Sequence, residues 1–166
     1  VPDTANVVSG PALVKIDAAD LAHTQGGITF SLAAQNRVQT VDQYGASAIG
    51  IVHLGDEVTV TCPFVEWVID VLNSIYDPGD QSEAENIGFG RAAGYVYTDV
   101  DLQVVPIATS LQTKFVQVYK AIPVGEFEVQ FNTESDRIFS TRYTAVVDET
   151  KTDGRLLGAI YDGGSS

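Results

Sequence analysis

Along most of this chain apolar residues recur at every second position; only over residues 64 to 76 do they recur at every third and fourth. A strand sends alternate side chains to opposite faces, whereas a helix returns to one face about every 3.6 residues. The pattern therefore predicts a chain built of sheet with a single helix. "ALVKID" (12–17) is apolar on both faces and reads as a mostly covered strand, after which "DAAD" turns the chain. "GGITFSL" (26–32) sets Ile28, Phe30 and Leu32 on one side and Thr29 and Ser31 on the other, as a half-buried strand does. "RVQTV" (37–41) is rich in β-branched residues, but neither its Arg37, Gln39, Val41 face nor its Val38, Thr40 face is cleanly a core face. Residues 26–45 thus read as a two-stranded ribbon whose polar side faces something other than its own core.

"DQYGAS" (42–47) reads as a turn, and "AIGIVH" (48–53) and "EVTVTC" (57–62) as a hairpin across "LGD". The period then switches: Phe64, Val65, Val68, Val71, Leu72, Ile75 and Tyr76 share one face of a helix of about four turns. Pro63 suits the first helical position, Thr61 or Cys62 the cap, and "DPG" (77–79) the stop. Trp67 and Ile69 flank the apolar face and are expected to seal the helix against a sheet. Residues 77–94 read as a long acidic loop. Four strands follow: "YVYTDVDLQVV" (95–105), "KFVQVYK" (114–120), "EFEVQF" (126–131) and "RIFSTRYTAVV" (137–147). "TDGR" (152–155) then turns into "LLGAIYD" (156–162). Eight or nine strands and one helix, without strand-helix alternation, predict a mainly β fold. The expected form is an antiparallel sandwich or barrel with one amphipathic helix packed at its side. Residues 1–166 read as a single domain with an N-terminal arm (1–11) and the acidic loop.

Composition narrows the chemistry. Cys62 is alone and cannot form an internal disulfide, and His23 and His53 are too few and too far apart in sequence for a zinc cluster. The apolar stretches are too short for a spanning helix, and "VPDTANVVSGP" lacks the basic-then-apolar form of a secretory signal, so no membrane partner is expected. With 22 acids against 9 scattered bases the net charge is −13, which disfavours binding to a phosphate backbone.

The catalytic patterns are incomplete. "GFGRAA" (88–93) matches a dinucleotide fingerprint in letters, but an acidic loop precedes it and a strand follows, where strand and helix are required. "GASAIG" (45–50) has the wrong glycine spacing for a nucleophile elbow around Ser47. Asp99 and Asp101 share one strand face, and Glu66 and Asp70 one polar helix face, but the simpler reading of both pairs is a solvated surface. "DETKTDG" lacks the spacing of a calcium loop. No nucleophile, base and orienting group assemble, so the expectation is a protein that is not an enzyme and carries no metal or cofactor.

The order of "GPALVKIDAADLAHTQGGITF", "TVDQYG", "EVTVTCPFVEWVIDVL", "YKAIPVGEFEVQF" and "TDGRLLGAIYD" resembles the tail tube proteins of long-tailed bacterial viruses over nearly the whole chain. Those relatives tend to carry glycine in the turn held here by Ala18 and Ala19, and the acidic loop is particular to this chain. The resemblance implies hexameric rings stacked into a tube, with neighbouring inner strands joined into one barrel around a channel. Double-stranded DNA would pass through it without specific binding. It implies tape-measure and other tail proteins as partners, the virion tail as location, and the host cytoplasm as the place of assembly. Within that frame Thr29, Ser31, Gln39 and Glu57 are candidate channel-lining residues. Asp77, Asp80, Glu83, Glu85 and Arg91 are candidate ring-to-ring contacts, together with the N-terminal arm. Six copies at −13 each carry −78 formal charges, and those facing the channel would keep phosphates from adhering. The rival reading is a capsid decoration or head-to-tail connector domain of the same fold class; a carboxylate hydrolase using Asp99 and Asp101 is more distant.

Overall fold

The alternating segments pair into one antiparallel sheet. The computed structural model describes residues 10–76, 86–87, 90–108, 111–124, 128–129, 138–152 and 154–163. In chain order these form β1 (Ala12–Ile16), β2 (Ala19–Ala22), β3 (Thr29–Thr40), β4 (Ala48–Phe64), α1 (Ile69–Tyr76), β5 (Val100–Pro106), β6 (Val116–Pro123), β7 (Glu128–Val129), β8 (Phe139–Ala145) and β9 (Gly158–Ile160). The main path of the sheet runs β2-β1-β5-β6-β8-β4-β3, with β7 on β8 and β9 on β6. The path does not close on itself: β2 and β3 are its two margins. The fold is therefore mainly β with a single short helix, and the sheet is open.

The core forms where inward residues of the central strands meet the helix. Val14, Leu102, Val118, Tyr143, Val60, Cys62, Phe64 and Phe139 are buried together with Val71, Leu72 and Ile75 of α1. The Tyr143 hydroxyl donates to the Ser74 carbonyl at 3.2 Å, tying β8 to the helix. Burial pushes the Cys62 thiol up to about 12, as expected of a thiol enclosed by apolar neighbours.

The helix is shorter than its periodicity predicts, and the reason is tertiary. β4 continues through Pro63 to Phe64, so Pro63 is a strand residue and neither Thr61 nor Cys62 is a cap. The amide of Val65 donates to the His23 carbonyl at 3.1 Å, and that of Gln25 to the Pro63 carbonyl at 3.0 Å. These bonds extend the ladder over what would have been the first helical turn. Glu66 accepts from the His23 amide at 3.1 Å and pairs with its imidazole, and that hydrogen bonding holds its carboxyl below the usual range. Helix begins only at Ile69. Trp67, expected on the margin of the helix, lies before it and is 53% exposed, meeting Phe139 edge-on with ring centres 5.3 Å apart.

The segments 48–53 and 57–62 do not pair with each other. They are one continuous strand, because the twelve-residue β3, running unbroken through "AAQN", pairs with both. "LGD" is absorbed as a bulge: Gln35 lies opposite Gly55 and Asn36 opposite His53, leaving Leu54 as the extra residue. The 152–155 turn forms, with the Asp148 amide donating to the Leu156 carbonyl at 2.8 Å, but β9 then pairs with β6. That pairing requires glycine at 158, where a Cβ would overlap the Gln117 carbonyl oxygen. Among the described residues, 95–99 lie outside β5, which starts at Val100.

β1 and β2 are joined by Asp17 and Ala18, with φ of 49° and 68°. Two consecutive left-handed residues match the turn that suits strand twist, in which an Ala at positive φ is strained. Ala18→Gly is expected to raise stability by about 0.5–1 kcal/mol, the relieved strain exceeding the added unfolded-state entropy. A shift of the urea midpoint at unchanged slope measures it.

Candidate assembly surface

β3 and β4 form a long ribbon, of which only the base belongs to the core. β8 pairs with β4 over Thr59–Phe64, so the outer part of β4, residues 48–58, has β3 as its sole ladder partner among the described strands. The ribbon turns through a 3-10 turn at Asp42–Tyr44, with Gly45 at φ 63°. Amide bonds of Tyr44 to Val41, Gly45 to Asp42 and Ser47 to Tyr44 hold the bend in place of a two-residue Asn-Gly turn.

The register assigns the faces. Thr29 opposes Thr61, Ser31 opposes Thr59, Ala33 opposes Glu57, and Gln39 opposes Gly50. Directly opposed residues share a face, so Thr29, Ser31, Gln39 and Glu57 all lie on one polar side. Thr61 and Thr59 oppose Arg142 and Thr144, which extends that side onto β8. The charged residues on it are Arg37, Glu57 and Arg142, with the Arg142 guanidinium 3.8 Å from the Glu57 carboxylate. Two arginines against one glutamate leave the described part of this face with a slight excess of positive charge.

The opposite face changes character along its length. Phe30, opposite Val60, packs on the core, but Leu32, Val38 and Ile51 are 56%, 56% and 69% exposed. Between them His53 interrupts the apolar side, its Nδ1 3.3 Å from Asn36 Oδ1 and its Nε2 3.5 Å from Asp56 Oδ1. Where the ribbon leaves the domain, a cleft of about 850 Å³ opens between its base and β9. β9 pairs with β6 along one edge, and its other edge has no ladder partner among the described strands. Strand edges and apolar side chains are thus exposed together, an arrangement that soluble monomers usually avoid.

Arg91 is half-buried and faces its own domain. Its guanidinium carbon lies 4.5 Å from the Tyr76 ring centre, 4.6 Å from that of Tyr97 and 5.7 Å from that of Tyr95. This stack joins the end of α1 to the segment before β5. Asp77, Asp80, Glu83 and Glu85 lie outside the described residues, as do Gly88 and Phe89 of the glycine motif. The two carboxylate pairs separate: Glu66 precedes the helix that carries Asp70, and Asp99 precedes β5. Asp101 instead accepts from Gln117 Nε2 at 2.7 Å, while its amide donates to Asp17 at 3.2 Å. Both bonds brace the β1–β5–β6 region. Among the described residues no three His, Cys, Asp or Glu side chains group as metal ligands, and no helix is long and apolar enough to cross a membrane.

Sequence reading placed Thr29, Ser31 and Gln39 on one polar side. It took 26–45 for a two-stranded ribbon, whereas Thr29–Thr40 form the single strand β3 and the ribbon forms with β4; it also missed the exposed apolar side. Val38 carried the signal: it is apolar in a segment, 37–41, that reads as ambiguous, and Ile51 stands directly opposite it. Comparison of the chain with protein-family models and with curated proteins gives no match.

Proposed function

We propose that this protein is a structural subunit that completes its ribbon against copies of itself, forming stacked rings of a tail tube for DNA passage. The observation that carries this reading is the ribbon beyond the domain core, with its apolar side exposed and its outer strand pairing unfinished. An isolated two-stranded ribbon is marginal in water, and a second copy supplies both the apolar cover and further strand neighbours. The ordered resemblance of the whole chain to viral tail tube proteins supports the same reading.

In a closed ring the ribbons stand side by side as a barrel, the fold's open sheet finished by its neighbours. Thr29, Ser31, Gln39 and Glu57 then line the bore with hydroxyl, amide and carboxylate groups. DNA then passes a wall whose described charges are Arg37, Arg142 and Glu57, with the Glu57 carboxylate beside the Arg142 guanidinium. The segment holding Asp77, Asp80, Glu83 and Glu85 remains the proposed ring-to-ring contact, with tape-measure and other tail proteins as further partners in the virion.

Assembly brings together subunits of −13 each. Their repulsion is screened over about 8 Å at physiological salt and about 3 Å at 1 M, whereas apolar burial persists. Raising salt is therefore expected to move the protein from free subunits to rings and tubes in sedimentation velocity. Assembly that weakens steadily with salt would place attractive ion pairs at the joints and contradict this account of the charge.

A further inference from the structure

The cleft between ribbon and β9 is lined on the ribbon side by Phe30, Leu32, Leu54 and Val58, and on the opposite side by Leu156 and Ile160. His53 and Asp56 mark one wall and Arg155 the other. A small-molecule site gathers several free polar groups around its ligand; here His53 and Asp56 already face each other. Any occupant from a second copy must overcome the repulsion of two −13 chains. One part of this chain is built for that. Residues 38–52 contain a single charged side chain, Asp42, in fifteen residues. They include the preformed ribbon turn, where Tyr44 and Ile49 are 68% and 53% exposed.

We propose that the ribbon turn of one copy seats in the cleft of the next, with Tyr44 among Leu32, Leu54 and Ile160 and Asp42 facing Arg155. Charge complementarity selects the pair: the turn's one acid meets the cleft's one permanent base. Turn and cleft are different patches, so the contact is heterologous and passes from copy to copy until a ring closes. A preformed turn loses little conformational freedom on seating. This inference rests on the self-assembly reading and specifies which two surfaces make the joint.

Two full-length single-cysteine additions test it, Tyr44→Cys and Ile160→Cys. Cys62 is buried and its thiol is pushed up to about 12, so it contributes little background. Mixed under mild oxidation, the two variants are expected to give a disulfide-linked dimer that neither gives alone. Dimers from Tyr44→Cys alone would show a turn-to-turn contact and overturn the inference. So would a thiol of Ile160→Cys that resists labelling in dilute monomer, because its own chain would then fill the cleft. If the variants form rings without the mixed dimer, the inference fails and the ring reading stands; if wild-type protein forms no assembly at all, both fail. A charge exchange provides the second arm. Asp42→Arg is expected to raise the protein concentration needed for assembly about tenfold, and adding Arg155→Asp to restore it; no restoration overturns the pairing.

Discussion

Phe139→Ala is expected to destabilise the domain by about 3–5 kcal/mol, the range for emptying a fully enclosed aromatic site. Phe139 has no exposed surface, stands opposite Phe64 in the β4–β8 ladder and takes the edge of Trp67. β8 links β6 to β4, so a void here weakens the joint between the ribbon and the rest of the sheet. Against a usual total of about 5–15 kcal/mol, the loss is a large share. Urea unfolding is expected to show a much lower midpoint with a similar slope. A change below about 1 kcal/mol would mean that this part of the core does not hold the fold.

The second large effect leaves the fold intact and removes assembly. Val38→Lys combined with Ile51→Glu keeps the net charge, and because the two positions are directly opposed across the ribbon, the new side chains attract each other. Thermal stability of the monomer is expected to change little. Covering Val38 and Ile51 at each joint contributes about 3–6 kcal/mol at about 1.5–3 per side chain. Losing that cover is expected to raise the concentration needed for rings by about 10²–10⁴-fold. Light scattering across a dilution series measures it. Unchanged assembly with both substitutions present would show that the ribbon's apolar side is not the joint.

β1, β6 and β8 were legible to within a few residues, β6 and β8 from alternation and β1 from a short run apolar on both faces, which the structure keeps mostly covered. Where the sequence misleads, a distant segment decides. The 64–76 periodicity is genuine, but residues 23–25 claim Val65 and Pro63 by backbone pairing, and the helix starts at Ile69 instead of Pro63. "LGD" reads as a hairpin connection until a partner strand long enough to span it is present; against β3 it becomes a bulge at Leu54. The polar side of the ribbon was legible because Thr29, Ser31 and Gln39 fall on alternate positions. Its apolar side was not, because alternation cannot tell a side chain covered by its own domain from one left exposed. Arg91, read as a surface contact, stacks on three tyrosines that only folding gathers.

The central claim is that this chain is an unfinished wall element completed by its own copies. Negative-stain electron microscopy of the purified protein at high concentration and raised salt examines it most directly. Rings, and tubes of stacked rings, are the expected image; particles that stay single at every concentration and salt would contradict it.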